Sequence, residues 1–149
     1  MNCKVINTKL GTIEYSLIGK GQPILFIHGG HSNCNESLCH KGFDLEKYQL
    51  ITPSRPGYGR TPLGENKTPK QSADLIKELL DHLSIENVIV YGISAGGLTA
   101  IEFARYYSDK VNKLILASAV SKKWLDNEGK TYKIAQKIFH PRIEKIIWR

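Results

Sequence analysis

Asn87-Val88-Ile89-Val90-Tyr91-Gly92-Ile93-Ser94-Ala95-Gly96-Gly97-Leu98 is the stretch that decides how this chain folds. Residues 87–91 form a short apolar, β-branched run, as expected of a strand buried on both faces. Residues 98–107 then carry their apolar side chains at helical spacing. Only Gly92-Ile93-Ser94-Ala95-Gly96 lies between, enough chain for one tight turn. A serine at the tip of such a turn stands beyond the sheet with its hydroxyl facing outward. Glycines two residues to either side leave room where the strand and helix backbones approach each other. The helix start then offers the Ala95 amide and the positive end of a dipole to an oxyanion. Ser94 is thus a candidate nucleophile, Ala95 a candidate oxyanion donor, and Gly92 and Gly96 the residues that shape the turn.

Upstream, Pro23-Ile24-Leu25-Phe26-Ile27 reads as another doubly buried strand, and it ends at His28-Gly29-Gly30. Open α/β sheets bind ligands beyond the carboxyl ends of such strands. An acyl oxygen gathering negative charge needs two convergent N–H donors, and the Gly30 amide can complement that of Ala95. Residues 4–7 and 12–18 suit an antiparallel hairpin at the sheet edge, and residues 48–52 a fourth strand. A helix starts with Thr68 as cap, Pro69 in first position and Gln71 completing a capping box. Leu75, Ile76, Leu79, Leu80 and Leu83 then recur along one face. Residues 111–117 make a sixth strand. This alternation predicts an α/β fold, a mostly parallel sheet with helices on both faces. Residues 1–118 form that core. Residues 119–149, with Trp124, Leu125, Ile134, Ile138, Phe139 and Ile143 at helical spacings, read as the start of a helical cap.

Composition narrows the classes. The 149 residues are 41% hydrophobic, ordinary for a globular domain. Residues 1–109 hold 11 basic and 11 acidic side chains, and residues 110–149 hold 10 and 3, so the whole net charge of +7 sits at the C-terminal end. Those lysines alternate with apolar residues as on solvated helix faces, which argues against nucleic acid as a partner. No apolar run approaches the ~20 residues of a membrane span, and the first residues do not resemble a secretory signal. The odd count of 3 cysteines suits reduced thiols and a cytoplasmic location. His31, Cys34, Cys39 and His40 form a tempting cluster, but the Cys-x4-Cys spacing is wide and no second ligand pair follows. No metal and no cofactor are expected.

The ordered set His28-Gly29-Gly30, Arg55-Pro56-Gly57-Tyr58-Gly59 and Gly92-Ile93-Ser94-Ala95-Gly96-Gly97 resembles the α/β-hydrolase superfamily, in its esterase/peptidase-like branch. The resemblance runs from the opening hairpin to the start of the cap. It implies that Ser94 attacks a small carboxylic ester or related acyl carbon to form an acyl-enzyme, with Gly30 and Ala95 as oxyanion donors. It also implies that His28, with Gly29, is structural at the site. Two positions depart from the family pattern. Ser54 stands where many members carry Asp, and His31-Ser32 follow the two glycines where proline-iminopeptidase-like members have Pro-Gly.

In that family Asp or Glu and then His follow the serine along the chain. After Ser94 this chain has one histidine, His140, and the acids Glu102, Asp109, Asp126, Glu128 and Glu144. Asp109 falls at the far end of the helix that starts at the serine, and His140 falls among the amphipathic cap helices. Neither is expected to reach Ser94, so the fold is expected to be truncated after the sixth strand and the start of the cap. Such a cut would expose a sheet edge and leave open self-association or a complementing chain. The expected function is a serine hydrolase; the alternative is a non-catalytic remnant or ligand-binding module of the same fold.

Overall fold

The computed structural model describes residues 3–37, 39–122, 129–130 and 132–134. Six strands form one sheet: β1 (Lys4–Thr8), β2 (Gly11–Gly19), β3 (Gln22–Ile27), β4 (Tyr48–Pro53), β5 (Val88–Ile93) and β6 (Val111–Ala117). Their spatial order is β1-β2-β4-β3-β5-β6. β1 pairs antiparallel with β2, and β2 with β4; the β4–β3, β3–β5 and β5–β6 pairings are parallel. The hairpin therefore sits at one edge, as the sequence predicts, and β3 lies between β4 and β5 at the centre.

Ile24, Leu25, Phe26 and Ile27 are all buried, which explains why β3 reads as an unbroken apolar run. Leu25 and Ile27 face a core shared with Ile13, Tyr15, Ile51, Val88 and Val90. Two helices cover it, α1 (Pro69–His82) through Leu75, Ile76, Leu79 and Leu80, and α2 (Gly97–Tyr106) through Ala100 and Phe103. The predicted box caps α1: Thr68 Oγ1 accepts from the Gln71 amide at 3.2 Å, and Gln71 Oε1 accepts from the Thr68 amide at 3.1 Å. Elsewhere in the sheet Phe26 stacks on Tyr91, and both rings meet Phe43 edge-on.

One reading of the sequence is corrected. Cys3 and Cys34, expected as reduced thiols, are joined as a disulfide with their Cα atoms 6.5 Å apart. The pairing across 31 residues of sequence follows from topology, because the start of β1 lies beside the loop after β3. Counting cysteines cannot see such a contact. The amphipathic segment beyond residue 122 falls largely outside the described residues, as does His140. Among the described residues no helix is long and apolar enough to cross a membrane.

Candidate active site

β5 runs into a single 3-10 turn, Ser94–Gly96, and then directly into α2. Ser94 sits in that turn with φ +47°, a left-handed conformation that a non-glycine residue adopts at a cost of ~1–3 kcal/mol. The neighbouring glycines show what holds it there. A Cβ on Gly92 would come within 2.5 Å of Ala100 Cβ, and one on Gly96 within 2.3 Å of the Ile27 carbonyl oxygen. A Cβ on Gly97 would meet Ala119 Cβ and the Val120 carbonyl oxygen, each at 2.6 Å. The Val120 amide donates to the Ser94 carbonyl at 2.8 Å, tying the turn to the chain after β6. Ser94 itself is exposed, and Gly96 is buried beneath it.

The loop after β3 lies against this turn. A Cβ on Gly29 would stand 3.1 Å from Ser94 Cβ, a tight contact that glycine avoids. Gly30 is exposed, with open space where a side chain would be. The structure thus brings Gly29 against Ser94, with Gly30 next to it in the same loop.

His28 braces that loop. Its ring is fully buried, and Nε2 accepts from the Arg55 amide at 2.9 Å. The proton therefore belongs on Nδ1, which donates to the Gly29 carbonyl at 2.7 Å. Burial, helped by the nearby Arg55 charge, lowers its pKa to about 4. A ring with both nitrogens engaged and so little basicity is a strut. The consequence is a pH-dependent stability. The unfolded histidine takes up a proton near pH ~6.5, while the folded one stays neutral down to about 4. The folded state should lose up to about 3 kcal/mol as pH drops from ~6.5 toward 4, with the full contribution present above that window. Urea unfolding at pH 7.0 against pH 4.5 checks this, and His28→Gln should flatten the dependence.

A second buried network supports the same loop. The Glu14 carboxylate, on β2, accepts from Ser54 Oγ at 2.8 Å, the Arg60 amide at 3.0 Å and Arg60 Nε at 2.6 Å. Ser54 Oγ in turn accepts from the Cys34 amide at 3.0 Å. This accounts for serine at position 54, where the family resemblance leads one to expect Asp. A carboxylate already stands there, supplied by Glu14, and a second would meet like-charge repulsion. Nothing in the sequence marks Glu14 for this role, because in Thr12-Ile13-Glu14-Tyr15-Ser16-Leu17 it falls on the polar side of a regular alternation. Arg55 and Gly59 belong to a sequence motif that by itself assigns them no role. Gly59 now has one, since at φ +54° a Cβ there would lie 2.0 Å from Glu14 Oε2.

Of the tempting His and Cys residues, Cys34 is bonded to Cys3, and His40 Nε2 pairs with Thr52 Oγ1 at 3.1 Å. The one group of potential ligands found among the described residues is Cys3, Glu14 and Cys34, whose sulfurs and carboxylate are already committed to the disulfide and to Arg60 and Ser54.

A family model described as alpha/beta hydrolase fold matches residues 22–139. The chain is 49% identical over 139 residues to the hydrolase YcgS of Bacillus subtilis, covering 93% of this chain and 49% of that protein. An alpha/beta hydrolase fold protein from Nakamurella multipartita superposes with a TM-score of 0.78 at 26% identity, over 92% of this chain and 51% of the other. An esterase from Exiguobacterium antarcticum gives a TM-score of 0.67 at 30% identity, over 78% of this chain and 45% of that one. The chain thus spans about half the length of the proteins it matches.

Proposed function

The chain belongs to the α/β-hydrolase family, and on that premise we propose that it carries the nucleophile and oxyanion site of a serine hydrolase acting on a small carboxylic ester or related acyl compound. The observation that carries the reading is Ser94 at φ +47° with Gly29 against its Cβ. Ser84 and Ser118 also take a positive φ, and it is the contact with Gly29 that sets Ser94 apart from them. In the proposed reaction Ser94 Oγ attacks the acyl carbon and gives its proton to a base. The carbonyl oxygen becomes an oxyanion, which the Gly30 and Ala95 amides stabilise. Collapse expels the alcohol, which takes up the proton, and water then hydrolyses the acyl-serine.

Among the described residues no base or acid is assigned to Ser94, and the exposed edge of the sheet suggests where they come from. Leu114, Ile115 and Leu116 of β6 are 36–41% exposed, so this edge strand shows apolar side chains on both faces of the sheet, which water does not favour. We assign this edge to a further segment or a complementing chain that brings the Asp or Glu and the His to Ser94. That chain length amounts to about half of the hydrolase relatives supports the assignment.

A fluorophosphonate probe tests the nucleophile directly. It should label Ser94 stoichiometrically in the completed enzyme and slowly in this chain alone, and Ser94→Ala should abolish labelling in both. Folded protein that takes no label would sink the nucleophile assignment.

A further inference from the structure

Beside Ala95, where α1 and α2 begin, lies a cleft of about 300 Å³ that the reaction above leaves unused. Arg55, Lys67, Thr68 and Ser72 are among its walls, and none of its lining residues is acidic. Its polar groups share one character. Arg55 is largely withdrawn from water, and burial lowers its pKa from the usual arginine value. Yet among the described residues it has no carboxylate partner. Nη2 donates to the Gly29 carbonyl at 2.9 Å and the guanidinium lies 4.7 Å over the Tyr58 ring, while Nε is buried without an acceptor. A desolvated cation without a counter-charge is costly to keep.

Ser72 gives an independent sign. It is 5% exposed, and its Oγ has no hydrogen-bond partner. Thr68 and Pro69, which open the 14-residue helix α1, line the same space, and no acid in its first turn offsets the helix dipole. A half-buried guanidinium, an idle hydroxyl, Lys67 (its Nζ 3.9 Å from Glu65 Oε2) and a helix start therefore surround one small volume next to Ala95.

We propose that this cleft is an anion-binding subsite, taking a carboxylate or phosphate group borne by the acyl substrate. The identity of the bearer rests on the hydrolase reading; the affinity for anions does not. An acyl compound with an anionic tail would place that tail against Arg55, Lys67 and Ser72 while its carbonyl reaches Ala95 and Gly30. The site would then select charged over neutral acyl groups.

Thermal unfolding of the chain, followed at constant ionic strength while inorganic phosphate or monomethyl succinate replaces chloride, tests the binding. Both anions should stabilise saturably. Lys67→Glu, a change at an exposed position, should weaken the apparent affinity at least ~tenfold, and Ser72→Ala several-fold. Ser94→Ala should leave it unchanged, which separates this result from the fate of the nucleophile. Absence of saturable stabilisation, or equal affinity in the wild type, Lys67→Glu and Ser72→Ala proteins, would overturn the subsite. Both anions should also slow fluorophosphonate labelling of Ser94. Binding that leaves the labelling rate untouched would mean that the cleft holds a free anion, and the substrate assignment would fall.

Discussion

Gly96→Ala is expected to destabilise the chain by about 3 kcal/mol or more, a large share of the ~5–15 kcal/mol that keeps a typical domain folded. The added Cβ would stand 2.3 Å from the Ile27 carbonyl oxygen and 2.6 Å from that of His28. Ile27 ends β3 and His28 follows it, and β3 is hydrogen-bonded to β4 on one side and β5 on the other. A clash with a flexible side chain can be relieved by a rotamer change, whereas this one requires the central strand to move. Gly30→Ala provides the contrast. A Cβ there meets nothing within 4 Å, so the change should stay within ~0.5 kcal/mol and keep the amide proposed as an oxyanion donor. Urea midpoints of the two variants should therefore differ widely although both glycines belong to the same site. If Gly96→Ala matched the wild type, the close packing of α2 onto β3 would be wrong.

That contrast also shows which part of the site was legible in the sequence. Gly92-Ile93-Ser94-Ala95-Gly96 encodes its turn locally, because a strand, a turn and a helix follow one another without interruption. The same is true of His28-Gly29-Gly30 at the end of β3 and of the Thr68 capping box. What stayed hidden was assembled from segments distant in sequence. Cys3 meets Cys34, Glu14 meets Ser54 and Arg60, and Ser16 Oγ donates to the Cys34 carbonyl at 2.6 Å. Each contact depends on the order of strands in the sheet, which apolar periodicity does not reveal. The odd cysteine count misled for that reason. Ser54 is the instructive case: the departure from the family pattern was visible in the sequence, but its cause lay on another strand.

Glu14→Ala is the second change expected to be severe, at about 3 kcal/mol. The Glu14 side chain is 7% exposed, and its loss would strand the Ser54 hydroxyl and the Arg60 amide, which donate to it. Glu14→Gln keeps the shape and should cost less, about 1–2 kcal/mol, because one acceptor oxygen survives. Arg60→Ala should cost least, since the guanidinium side chain is 60% exposed and the residue 60 amide would still donate to the carboxylate. Acid offers a second test. Burial raises the Glu14 pKa, but the hydrogen bonds from Arg60 and Ser54, with the Arg60 charge, outweigh it, and the net shift is downward. A carboxylate with a lowered folded pKa stabilises the protein above its unfolded value of ~4.3, and that stabilisation disappears as pH falls through the folded pKa. The Glu14 loss thus begins where the His28 loss is nearly complete, and unfolding titrations should resolve two successive windows. Arg60→Ala should move only the lower one, toward higher pH. The functional consequence runs through Ser54, whose Oγ accepts from the Cys34 amide and so anchors the loop that continues from Gly30. Freed from Glu14, that loop would hold the Gly30 donor less firmly, and labelling of Ser94 should slow even in the fraction of Glu14→Gln protein that stays folded. Unchanged labelling in that fraction would confine Glu14 to a purely structural role.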